Sequence, residues 1–438
     1  MTHHSGLPSE WVDRMFCPNP IMYTELAEAI KDEYVAYKPN TIFSYSNLAV
    51  TLLGDAVEKV SGVPYAEYVS QNLLEPMAMN HSDLKISLTG DKASKSYANG
   101  KEIIEYAEGQ VPAGALNTTV GDLSHLIMMI NAEGKYANKS VLQKDTLNKM
   151  FTVQNKDVAL DLDMEIGLGY FIDSKLLGED EPIYAHGGAM LGHRAYVAVA
   201  PHSKLGVVIL SNSGSTPVEK IAKSFLTKAW EAKTSQKVLK RETTVAVKED
   251  SDFEGLFETV FGKVKIEKSG EDYITTIEDE DFILSRDENN LYRAKYKLFG
   301  LIPLRADELE KIAFYTREIE GRDVIVKLEE GEEKIVGVRV EPYEISKKWK
   351  SYLGHYKVEN NLFVEEWKLD DMKLVIENGY LLLKQSYVSR EESTSILRPL
   401  NDTEALVEGL GRSTQETIYF KYGVFHHQGL RFRRVDEK

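Results

Sequence analysis

The sequence predicts an α/β domain, an antiparallel sheet flanked by helices, over residues 1–233. A linker at 234–252 and an all-β, barrel-like domain over 253–438 follow. Three observations carry this. Helical and strand patterns alternate as far as Ala232. A charged stretch, Thr234 to Asp252, then holds few large apolar residues, the composition of a linker. Beyond it come short alternating apolar runs separated by turns, without long helices. A chain of 438 residues also exceeds one ordinary domain.

In the first region, Asn47 to Val60 reads as a helix. Leu48, Val50, Leu52, Leu53, Ala56, Val57 and Val60 make it largely apolar, and Ser61-Gly62 stops it. Pro64 to Leu74 reads as a second helix with proline in its first turn. Thr119 to Ala132 has a good N-cap, an acidic first turn at Asp122, and Leu123, Leu126, Ile127, Met129 and Ile130 for the core. Ile183 to Gly188, Tyr196 to Ala200 and Leu205 to Leu210 read as strands, the last two joined by a hairpin at Pro201-His202-Ser203-Lys204. Pro217 to Ala232 closes the region as a helix, with Val218, Ile221, Ala222, Phe225 and Trp230 on its buried face.

In the β-rich region, Lys263 to Glu267, Tyr273 to Thr276, Val324 to Leu328, Val336 to Val340, Lys373 to Ile376, Tyr380 to Lys384 and Thr417 to Phe420 read as strands. Asn378-Gly379 between two of these runs is a strong hairpin signal. Asp307 to Tyr315 reads instead as a helix, packed outside a barrel or across one end. Phe253-Glu254-Gly255-Leu256-Phe257 and Tyr352-Leu353-Gly354-His355-Tyr356 share an aromatic-x-Gly-x-aromatic pattern ahead of β-rich stretches. That likeness is either an old duplication into two related halves or chance.

Composition excludes some functions. A formal charge of −16 argues against a nucleic-acid partner, since binding phosphates needs a basic face. The single cysteine, Cys17, excludes an internal disulfide and a cysteine-rich metal site. His3-His4 lacks metal-ligand spacing and an acidic neighbour, so no metal is expected there. No apolar run approaches the roughly 18 residues of a membrane span. Localisation stays open.

Two local patterns carry chemistry. In Phe43-Ser44-Tyr45-Ser46-Asn47 a phenol and a carboxamide two residues apart can face one cleft. A nearby cation would let Tyr45 shuttle a proton, and Asn47 can hydrogen-bond a substrate amide. The plainer alternative is an asparagine capping the next helix. In Ala185-His186-Gly187-Gly188-Ala189 two glycines at a strand edge admit a ligand or another backbone, and an exposed N–H there can face an oxyanion. The plainer alternative is a glycine-rich turn with an incidental histidine.

In order along the chain, Thr2-His3-His4-Ser5-Gly6-Leu7-Pro8, Tyr45-Ser46-Asn47, Asn72-Leu73-Leu74-Glu75-Pro76-Met77 with Met79, Pro112-Ala113-Gly114-Ala115-Leu116-Asn117-Thr118-Thr119 with Asp122, and His186-Gly187-Gly188 resemble one family. It is that of class C β-lactamases, penicillin-binding D,D-peptidases, D-aminopeptidases and related esterases. The resemblance spans residues 1 to about 232. It implies a β-lactamase/transpeptidase-like fold and a serine hydrolase acting on small amides or esters, without metal or organic cofactor. Tyr45 would be the general base and Asn47 would hold the substrate amide. His186, in place of the lysine of the family's Lys-Thr-Gly strand, would orient the tyrosine and hold a substrate carboxylate or carbonyl. Gly187 and Gly188 would line the substrate strand, and the Ala189 backbone N–H would supply half of the oxyanion hole. The C-terminal region resembles the lipocalin-like domains attached to some members. Homo-oligomerisation or shielding of the active-site mouth is its expected role.

The family's Ser-x-x-Lys nucleophile element precedes the Thr-His-x-Ser-Gly stretch, which begins here at Thr2. The one literal match, Ser82-Asp83-Leu84-Lys85, follows Tyr45 and reads as a surface coincidence. Either the chain is an N-terminally shortened enzyme, the favoured expectation, or it is a catalytically inactive binding module that kept the cleft. In both cases it is expected to be inactive on its own.

Overall fold

The computed structural model describes residues 1–15, 17–86, 93–104, 108–178, 180–238, 251–259, 262–277, 280–298, 302–304, 311–360, 369–387 and 390–435. Its first region is organised by five antiparallel strands that pair in sequence order. These are β1 (Glu165–Ile166), β2 (Phe171–Asp173), β3 (Ile183–Ala189), β4 (Arg194–Ala200) and β5 (Leu205–Ser211). Strand period two divides their side chains between two layers. Tyr196, Ala198 and Ala200, with Val207 and Ile209, meet Val218, Ala222, Leu226 and Trp230 of a closing helix (Val218–Thr234). The alternate residues Val197, Val199, Val208 and Leu210 meet Leu123, Ile127, Met129 and Ile130 of the helix Val120–Asn131 on the other face.

The helices expected in the first region form, with two refinements. Asn47–Ser61 ends on Gly62 in the left-handed conformation, and Thr119 caps Val120–Asn131 by accepting from the Asp122 N–H. The Pro64 helix runs as Tyr65–Val69 and continues through a π turn, Ser70–Leu74. Phe225, expected in the core, is 61% exposed. The buried stripe of its helix follows Val218, Ala222, Leu226 and Trp230 at a strict spacing of four, which leaves Phe225 to one side. Among the described residues no helix is long and apolar enough to cross a membrane.

The barrel expected after the linker forms twice over. Nine strands from Gly255–Thr259 to Glu332–Arg339 make the first. Eight of them close a ring and the ninth, Ile302–Leu304, hangs on Tyr292–Leu298. The second closes eight strands from Gly354–Val358 to Leu430–Arg434. Closure removes the free edges so many strands would otherwise expose. Aromatic side chains fill both: Phe253, Phe257, Tyr273 and Tyr292 in the first, Trp349, Tyr356, Phe425 and Phe432 in the second. Asn378-Gly379 makes the expected hairpin, both residues at positive φ as a type I′ turn requires.

The helix expected over Asp307 to Tyr315 is corrected. Ile312–Ile319 is a strand paired residue for residue with Arg322–Glu329, while 305–310 lie outside the described residues. A full antiparallel register on both partners outweighs the local helical look. Of the charged 234–252 stretch, residues 239–250 likewise lie outside the described residues.

The aromatic-x-Gly-x-aromatic pattern opens each barrel with the same device. Gly255 and Gly354 both sit at φ +142°, where a side chain is strained. An arginine from each barrel's last strand lies over the glycine, Arg339 in the first and Arg434 in the second. Arg339 also rests on the Phe257 ring, 4.8 Å from its centre.

Candidate active site

Residues 41–46 run extended into the Asn47 helix, and burial alternates along them. Ile42, Ser44, Ser46 and Leu48 point inward, leaving Phe43, Tyr45 and Asn47 half-buried on a common side. Ser46 is the helix cap: its Oγ accepts from the Ala49 N–H (2.9 Å) and donates to the Pro8 carbonyl (2.6 Å). Asn47 is therefore not the capping residue. Its Nδ2 donates to Glu10 Oε1 at 2.7 Å.

The N-terminal segment backs this stretch. Ser44 N–H donates to the His3 carbonyl and Asn40 N–H to that of His4, each at 2.9 Å. The two histidines then separate. His4 Nε2 meets the buried Asp161 at 2.7 Å, while His3 accepts the Ser46 N–H on Nδ1 and stacks its ring 4.1 Å from that of Tyr45. Burial, and after it neighbouring positive charge, hold His3 neutral with a pKa lowered to about 4.

His186 lies across the cleft, its ring 6.4 Å from Tyr45 and 5.8 Å from Phe171. Its Nδ1 pairs with the Gly187 carbonyl at 2.6 Å, and burial pushes its pKa down. Among the described residues no hydrogen bond joins His186 to Tyr45, and the ring closest to Tyr45 is His3. Burial also pushes the Tyr45 phenol up, and Arg412 opposes that shift. The Arg412 guanidinium stands 5.1 Å from the Tyr45 ring centre and donates to Glu10. Glu10 thus joins Asn47 to Arg412. Burial raises its carboxyl pKa against the pull of Arg412 and Asn47, and its Oε2 is buried without a partner.

The glycines are in a strand, not in a turn. Phe171 pairs with Ala185, where β2 stops, so among the described residues β3 from His186 to Ala189 keeps β4 on one side and an open edge on the other. Gly187, Gly188 and Ala189 are exposed there. A Cβ on Gly187 or Gly188 would meet neighbours at 3.6 and 3.4 Å, ordinary contacts, so internal packing does not require glycine at either position. The turn comes later, where Met190 N–H donates to the His193 carbonyl. Tyr45 and His186 thus stand with ring centres 6.4 Å apart, with Asn47 tied to Arg412 through Glu10 and the open β3 edge beside His186.

Ser82 and Lys85 make no Ser-x-x-Lys helix. Ser82 Oγ donates to Asp122 at 2.7 Å from an irregular turn, and Lys85 pairs with Asp83 at 2.8 Å. Three further residues of the cleft were not singled out for it in the sequence. His3 drew notice as a metal candidate and as part of the Thr-His-x-Ser-Gly stretch but was given no role beside Tyr45, and Glu10 sits in an unpatterned stretch. Arg412 lies in a Gly-Leu-Gly-Arg turn some 400 residues away in sequence.

Residues 1–228 match the family model described as Beta-lactamase. Protein flp of Staphylococcus aureus (strain MRSA252) is 25% identical over 234 residues, which are 51% of this chain and 44% of that protein. A putative D-alanyl-D-alanine carboxypeptidase of Escherichia coli O157:H7 is 25% identical over 221 residues, 44% of this chain and 50% of its own length. The chain thus spans about half the length of the curated relatives it matches. The crystal structure of SurE shares the fold at a TM-score of 0.52 and 20% identity, over 77% of each chain.

Proposed function

The chain belongs to the beta-lactamase family, and from that premise we propose that its cleft serves acyl transfer from a small amide or ester to a serine hydroxyl. D-amino-acid peptides, β-lactams and related esters are the substrate classes. Burial raises the Tyr45 pKa, and the cations that offset it are Arg412 and the lysine of the Ser-x-x-Lys element; as phenolate, Tyr45 then takes the proton as the serine oxygen bonds to the substrate carbonyl carbon. The Ala189 N–H on the open edge of β3 faces the oxyanion of the tetrahedral intermediate. The proton passes from Tyr45 to the departing amine or alcohol as its bond to carbon breaks, and water then releases the acyl group from serine. Asn47 holds the substrate amide, while His186 and His3 fix the phenol's position. The observation that carries this reading is the convergence of Tyr45 and His186 on one cleft, beside the open β3 edge.

The nucleophile in this proposal belongs to a Ser-x-x-Lys element outside these 438 residues. A second reading, a binding module that holds its ligand reversibly in the same cleft, draws on one observation: Ser82 is committed to Asp122. Fluorescent penicillin separates the two. The chain as it stands takes up no label that survives denaturation. The same chain with a Ser-x-x-Lys segment joined ahead of Thr2 becomes labelled on that serine. Failure of the joined chain to label favours the binding module. A denaturation-stable label on the chain alone contradicts the placement of the nucleophile.

A further inference from the structure

The second barrel reaches into the cleft by one loop, residues 408–416, between the strands Glu404–Val407 and Thr417–Lys421. Both neighbours of Arg412 are fastened to the first region. Gly411 N–H donates to Tyr37 Oη (2.9 Å) and its carbonyl accepts from Ser44 Oγ (3.1 Å). Ser413 N–H donates to Ser9 Oγ (2.7 Å), and the Glu416 carboxylate accepts the Ser9 N–H (2.7 Å). The loop also holds two non-glycine residues in the left-handed region, Ser413 at φ 62° and Gln415 at φ 57°. Strain of this kind persists where the surroundings over-determine a conformation, and it gathers at ligand sites.

Besides this backbone and Glu416 anchoring, the Arg412 side chain adds one contact to the first region. That side chain is half exposed, with its guanidinium near the Tyr45 ring and one Nη on Glu10. Its partner Glu10 is largely buried, so the pair joins an exposed guanidinium to a buried carboxylate. A guanidinium has five donors in a planar fork, and one contact to Glu10 leaves an edge able to take a carboxylate through two parallel bonds. The cleft has a vacancy for such a charge. By the resemblance His186 would stand where the family has its strand lysine, and burial pushes the pKa of both His186 and His3 down, which disfavours a positive charge on either ring.

We propose that Arg412, delivered to the cleft by the second barrel, anchors a carboxylate on the substrate and so selects anionic amides or esters. This rests on the acyl-transfer reading of the cleft. The cation that the family places on the strand beside the tyrosine comes instead from the far end of the chain, and the second barrel is part of the active site. Its guanidinium also favours the Tyr45 phenolate by direct charge attraction.

Binding alone tests this, without turnover. Calorimetric titration of the full chain with N-acetyl-D-alanine and with its uncharged primary amide gives a preference ratio. The carboxylate binds the wild-type chain about tenfold more tightly, the scale of a charge-assisted pair. Arg412→Gln brings the ratio to about one, whereas Arg412→Lys keeps part of the preference, which loss of a merely structural contact would not do. Equal binding of the two probes by the wild type, binding of neither, or a preference that survives Arg412→Gln each overturns the proposal. The two readings fail separately: a carboxylate preference without acylation of the Ser-x-x-Lys-joined chain counts against acyl transfer and leaves Arg412 as anchor. Acylation without the preference does the reverse.

Discussion

The first barrel meets the N-terminal region through apolar side chains: Tyr37, Ile42 and Leu160 join a cluster with Leu291, Ala313 and Val324 of its wall. The second meets it mainly through hydrogen bonds. Val12 N–H donates to the Gln428 carbonyl, Asn360 to Asp13, and the Arg412 loop to Ser9 and Tyr37. Both barrels close eight strands and open on the same glycine–arginine device, so the fold does not explain the difference. It lies in what the loops carry. An apolar seam fixes the first barrel against the first region, while a polar loop with two residues in the left-handed region brings the second to Tyr45.

Substitution of the opening glycines sharpens this comparison most. Gly255→Ala and Gly354→Ala each force a side chain into φ +142°, at an expected cost of about 1–3 kcal/mol in urea unfolding. Gly255→Ala is the costlier. Its Cβ would stand 2.6 Å from Arg339 Nη1 and push the guanidinium off Phe257, whereas at Gly354 the nearest atom, Arg434 Nε, is 3.3 Å away. Equal costs, or none, would mean that the device is not what closes the barrels.

A pH-dependent effect lies where the barrels meet. Glu258 of the first is buried, with Oε2 unpartnered, and burial, with Glu408 of the second adding repulsion, pushes its pKa up to about 8. The folded state then holds a proton that the unfolded chain has already released. Stability therefore falls as pH rises from the ordinary carboxylate range through about 8. Glu258→Gln removes that loss. The variant melts above the wild type at about pH 9 and with it at about pH 5. A shift of the same size at both pH values would contradict a buried, protonated carboxyl.

What the sequence could disclose follows how local each feature is. The helices over 47–61 and 120–131 announce themselves by caps and period, and β3 to β5 by alternation and turn chemistry. Tyr45, Asn47 and His186 were visible because each stands in a short pattern with its own chemistry. Arg412 and Glu10 were not, since they meet across 402 residues and nothing in either stretch encodes the partner. Ile312–Ile319 was missed for a similar reason. Charges at helical spacing, Asp307, Glu308, Glu310 and Lys311, stand just ahead of the run, and only its pairing with Arg322–Glu329 decides for a strand. The repeated aromatic-x-Gly-x-aromatic pattern lay in plain view, but its meaning needed the arginines 80 or more residues later.

The acyl-transfer account stands most directly on the rate at which fluorescent penicillin acylates the Ser-x-x-Lys-joined chain and its Tyr45→Phe variant. The fold, the rings of His3 and His186 and the β3 edge are untouched by the loss of one hydroxyl, so the comparison isolates the proton shuttle. The account predicts a fall of about 10²–10⁴ in the acylation rate, the contribution of a positioned general base. A Tyr45→Phe rate within about twofold of the parent would contradict it.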